Sequence, residues 1–107
     1  MRKAAITLLA VMLGGTAAHA TSLDGMTVAV ELGTVLAAER PCHLSYNTDA
    51  VQRYIADHVR ESDMSFGSLL QTMVEGKTFE MRSMTPATLT AFCTQTQRVA
   101  KVNGFIQ

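Results

Sequence analysis

The sequence predicts an all-α domain, a small bundle of about four helices stapled by one disulfide. Three observations carry this. Apolar residues recur at helical spacing over most of the chain after residue 47. Three helix starts share one pattern, an apolar residue, then an Asn, Ser or Thr cap, then an apolar residue four positions into the helix. And only two cysteines, Cys42 and Cys93, occur in 107 residues.

The N-terminus reads as a leader. Arg2 and Lys3 form a basic start, Ala4 to Leu13 an apolar run too short to span a membrane, and Ala18-His19-Ala20 a small-residue cleavage site. Residues 1–20 are therefore expected to be a signal peptide and residues 21–107 a single helical domain, exported to a periplasm and not inserted in the membrane. Removing the leader leaves seven Lys and Arg against nine Asp and Glu. With no basic run and no aromatic interleaving, nucleic acid is excluded as a partner. An even cysteine count in an oxidising compartment favours a Cys42–Cys93 bridge. A mature chain of this size has a thin stability margin, and closing that loop would add about 4 kcal/mol on the chain-entropy model.

Thr21 to Asp24 is a polar lead-in. From Met26 to Glu39 two patterns compete. Met26, Val28, Val30 and Leu32 alternate as in a strand, whereas Val28, Leu32, Val35 and Leu36 fit a helix face. Helix is favoured, because the chain offers no partner strand and Ala37-Ala38-Glu39-Arg40 is strongly helical; it should stop before Pro41. Gly33 weakens its middle.

Asn47 caps the next helix, Asp49 suits its positive end, and Val51, Tyr54, Ile55, His58 and Val59 form its apolar stripe. Ser65 is read as the cap of a third helix, with Met64 stapled to Leu69; Phe66, Leu69, Leu70, Met73 and Val74 form its stripe and Gly76 ends it. Lys77 to Ser83 then reads as an extended connector that lays Phe79 and Met81 on the core. The last helix has the clearest start, with Thr85 as cap, Pro86 at the first position and Met84 stapled to Leu89. It runs to about Val102, with Gly104 as its stop and Phe105-Ile106 folding back.

Chemistry is sparse. Cys42, His43, His58 and Cys93 match no paired-ligand zinc spacing. A cysteine nucleophile would need a free thiolate where a bridge is expected. Ser68 lacks the flanking glycines of a nucleophile elbow and falls inside a helix. Glu61 and Asp63 sit in a surface turn. No phosphate loop occurs. The chain is expected not to be an enzyme and to need no metal or cofactor. Methionine does stand out, with Met26, Met64, Met73, Met81 and Met84 in the mature chain, and adaptable Met side chains suit protein partners. The candidate partner-binding surface is Met26, Phe79, Met81, Phe105 and Ile106.

Thr85-Pro86-Ala87 followed by Ala91-Phe92-Cys93-Thr94-Gln95 resembles the second-cysteine helix of the HdeA/HdeB periplasmic acid-stress chaperones. The resemblance implies a small exported helical protein with Cys42 and Cys93 as the bridged pair. It also implies a homodimer that loosens at low pH and exposes apolar surface to unfolding clients. Two features of that family differ here: Arg40-Pro41 stands where an aromatic residue is expected, and the tail after Cys93 holds only Arg98 and Lys101 rather than a lysine-rich run. The alternative is a dedicated interaction protein, an immunity-type inhibitor or an accessory subunit of an envelope complex, with one specific protein partner.

Overall fold

The computed structural model describes residues 25–107. It contains four helices and, among the described residues, no strand: α1 over 25–37, α2 Thr48–His58, α3 Phe66–Met81 and α4 Pro86–Val102. The leader expected over residues 1–20 and the lead-in to Asp24 lie outside the described residues.

α1 is the helix on which the others pack. Val28, Ala29, Leu32, Gly33, Val35 and Ala37 are all buried, while α2 buries only Ala50 and α3 and α4 two residues each. Helix wins over strand from Met26 to Leu32 because a strand would have placed Ala29 and Glu31 on one face, whereas the helix buries Ala29 and Leu32 together and leaves Glu31 exposed. Gly33, a weak helix former, sits where α3 crosses. A Cβ there would lie 2.7 Å from the Met73 Cβ, so only glycine permits the approach. Gly25 lies beside Asp63 in the same way, so α1 and α3 run side by side in the same direction.

α1 stops at Ala37, before Pro41 as the sequence predicts, and the chain then turns through residues 38–43. The Cys42 N–H donates to the Ala38 carbonyl at 2.9 Å and the Leu44 N–H to Glu39 at 2.8 Å, with His43 at φ 56° reversing the direction. Those two bonds aim Cys42 at α4, where it is bonded to Cys93 with the two Cα atoms 5.4 Å apart. The Glu39 carboxylate then receives the Tyr46 N–H at 2.8 Å, and the Tyr46 hydroxyl donates to the Val35 carbonyl at 2.8 Å. Burial, with the Glu39 charge adding to it, pushes the Tyr46 phenol up to about 12.

Two helix starts are as the sequence reads. The Asn47 side chain accepts from the Ala50 N–H at 3.1 Å and the Thr85 hydroxyl from the Thr88 N–H at 3.2 Å, with Pro86 at the first helical position. The start of α3 differs. Ser65 makes no capping bond; Asp63 instead accepts from the Ser65 N–H and hydroxyl at 3.1 and 2.8 Å. Met64 is 89% exposed and staples nothing. Asp63 takes the Ser65 hydroxyl as a donor, and Ser65 is itself in the helical region, φ −91° and ψ −11°, rather than in the extended conformation of a side-chain cap.

The largest correction is at Gly76, which does not end α3. The helix continues to Met81, and Lys77 to Ser83 is not an extended connector. A glycine inside a helix costs about 1 kcal/mol; the following turn offsets this through continued backbone bonding, a Lys77–Glu80 ion pair at 3.2 Å and burial of Met81. α4 ends as the sequence predicts. Gly104 adopts φ 78° and donates to the Lys101 carbonyl, while the Phe105 N–H donates to Ala100 at 2.9 Å. This is a Schellman turn, and it drives Phe105 back into the core at 1% exposure.

Candidate functional site

The expected partner-binding surface does not assemble as one face. Met26 and Phe79 are exposed, at 57% and 71%, but Met81 is 5% exposed, Phe105 lies in the core and Ile106 is half-buried against it. The physical reason is a change of period. In an extended segment residues 79 and 81 share a face, whereas in a helix they lie about 200° apart, so Phe79 turns out as Met81 turns in. Phe105 is withdrawn by the Schellman turn and held by the bond from the Asn47 N–H to its carbonyl at 2.8 Å. Its ring meets Tyr46 at 5.9 Å and Tyr54 edge-on at 5.6 Å.

What the fold does build is a groove between α1 and α4, with a volume of about 470 Å³. Val30, Glu31, Thr34 and Val35 form one wall, spaced i, i+4 along α1. Phe92, Gln95, Thr96, Val99 and Asn103 form the other, at i, i+3, i+4, i+7 and i+11 of α4, which is one helical face. Tyr54 and Phe105 also line it. Two polar residues in these walls turn their hydroxyls away. Thr34 donates to the Val30 carbonyl at 2.9 Å and Thr96 to the Phe92 carbonyl at 2.8 Å. The surface of the groove is mostly apolar. Glu31 is the one charged side chain in the lining.

Phe92, Thr96 and Val99 recur at i, i+4 and i+7, the spacing of an inward stripe on α4. Thr96 is buried, but Phe92 and Val99 are half-buried and reach the groove. A sequence signal for this exists. From Ser83 to Gln97 no charged residue occurs, between Arg82 and Arg98. An uncharged helix face can line an apolar groove without desolvating a charge.

The residues weighed for chemistry are dispersed or committed elsewhere. Cys42 and Cys93 are bonded to each other. His58 is exposed at the end of α2, its Nδ1 2.8 Å from the Tyr54 carbonyl and its ring stacked on Tyr54 at 4.1 Å. His43 is exposed in the turn before α2. Among the described residues no three His, Cys, Asp or Glu side chains come together as metal ligands, and no helix is long and apolar enough to cross a membrane. No family model, curated protein or solved structure matches the chain.

Proposed function

We propose that the chain is an exported protein-binding module that receives an apolar segment of another protein in the α1–α4 groove. The observation that carries this is the groove itself, apolar on both walls, with Val30 and Met26 exposed on α1 beside it. The bridge supports export, because such bonds persist in oxidising compartments.

Within that role, the acid-stress chaperone type implied by the HdeA/HdeB resemblance remains the leading candidate, acting as a homodimer at neutral pH. Below about pH 3 the carboxylates protonate, the charge becomes strongly positive and self-repulsion favours a looser state. The test is a titration from about pH 7 to about pH 2, following dye binding, sedimentation and suppression of a denatured client's aggregation. Reversible exposure of apolar surface with client protection supports the proposal; unchanged dye binding and sedimentation sink its acid component. The groove is already open in the folded conformation, and this favours the second candidate, a dedicated interaction protein. That candidate predicts one tight protein partner recovered from envelope extracts at neutral pH, without acid treatment.

A further inference from the structure

We infer that the Cys42–Cys93 bridge is a redox clasp. A dithiol reductant opens it while the domain stays folded, and opening frees the first half of α4 from the turn after α1. Access comes first. Neither cysteine belongs to the buried core; both are half-buried. Both also line a surface cleft of about 270 Å³, together with His43, Leu89, Thr90 and Thr94. A thiolate entering that cleft reaches the bridge in the folded protein. Exposed bridges are the labile, regulatory kind, whereas structural ones resist the reductants around them.

The bridge also holds something that nothing else holds as firmly. The buried residues of α4 are Thr96 and Ala100, and every residue from 86 to 95 is half-buried or exposed. The turn on the other side is self-contained. Its backbone bonds run from Cys42 to Ala38, from His43 to Arg40 and from Leu44 to Glu39. Among the described residues no hydrogen bond or ion pair crosses from residues 38–45 to α4, so opening the bridge breaks no other bond. The second half of α4 stays anchored, through Ala100 in the core and the Phe105 N–H bonded to its carbonyl. Phe92, next to Cys93, lines the α1–α4 groove, so opening the clasp also loosens that wall. The opening itself does not depend on what the groove binds.

The chemistry is thiol–disulfide exchange. One thiolate of the dithiol attacks a bridge sulfur, the S–S bond breaks, and the other sulfur leaves as a thiolate that takes up a proton. The second thiol of the reductant then resolves the mixed disulfide. Cys42 and Cys93 end as thiols, having gained two electrons and two protons, and the reductant ends as a disulfide.

The experiment uses the full disulfide-bonded protein at neutral pH without denaturant. Dithiothreitol is added at increasing concentration, free thiols are trapped by alkylation and counted by mass, and the rate is compared with that of global unfolding. Reduction should speed up in proportion to dithiothreitol and outrun unfolding. Thr90→Trp, which fills the cleft, should slow it severalfold, and Gln71→Trp on α3 should leave it unchanged. Amide exchange of the reduced protein should show protection lost over residues 90–95 and kept in α2 and around Ala100. A rate that levels off at the unfolding rate overturns the inference, because the bridge then opens only in the unfolded chain. Equal effects of the two tryptophan variants overturn it too. So does protection lost throughout the domain, which makes the bridge an obligatory staple, or protection unchanged everywhere, which leaves it holding nothing.

Discussion

α1 and α3 lie side by side, run the same way and each carry a glycine in mid-helix, yet the two glycines mean opposite things. At Gly33 the backbone of α3 is so close that a single added carbon would collide with Met73. At Gly76 nothing lies within 4 Å of the same hypothetical carbon. α1 is packed on several sides and its glycine is a packing device. α3 packs along one side through Phe66, Leu69, Leu70 and Met73 and buries Met81, while Gly76 is a tolerated defect on its exposed side. What glycine signifies is set by the neighbour rather than by the helix it interrupts.

The sharpest way to break this contrast is to release α1 at its C-terminal end. Reducing the Cys42–Cys93 bridge, or replacing both cysteines by alanine, should cost about 4 kcal/mol for a loop of this length. Chemical denaturation with and without reductant measures it. A loss well under 1 kcal/mol would show that the packing of α1 alone holds the turn after it. Next in size, Gly33→Ala should destabilise by about 1–3 kcal/mol, because the clash with Met73 outweighs the gain in helix propensity. A stabilised Gly33→Ala protein would refute the close crossing of α1 and α3.

Smaller effects sharpen the comparison. Tyr46→Phe removes the hydrogen bond to the Val35 carbonyl and should cost about 1 kcal/mol. The same side chain gives a pH signature. Its folded value of about 12 stands above the ordinary 10.0, so its contribution is complete below about pH 10 and is lost as pH rises through about 12. Denaturation midpoints measured across that window should fall for the wild type and fall less for Tyr46→Phe. Last, Gly76→Ala should stabilise by about 0.5–1 kcal/mol. Set beside Gly33→Ala, it is expected to carry the opposite sign.

Much of the fold was legible in the residues. Caps at Asn47 and Thr85, Pro86 at a first helical position and Gly104 at a stop are local signals, each satisfied by groups within a few positions, so no distant contact is needed to decide them. The failures came where local signals compete. Asp63 engages the Ser65 hydroxyl that would otherwise cap α3. Gly76 looks like a stop until the Lys77–Glu80 pair and the Met81 contact are added. The groove was less legible than the helices. Phe92 and Val99 obey the inward stripe of α4, and whether an inward residue meets another side chain or an open slot depends on how far α1 stands off.

The amino-acid sequence by itself determined the class of the molecule, its helical content and the pairing of Cys42 with Cys93, because periodicity, capping and an even cysteine count act at short range or without alternatives. Only the tertiary structure decided that α1 is the central helix, that Met81 and Phe105 are inside while Phe79 is outside, and that α1 and α4 leave an apolar groove with Glu31 at its rim. Those outcomes depend on helix length and on which backbones touch. A change of one turn in α3, or one added carbon at Gly33, would move the surfaces without altering the pattern that predicts the helices.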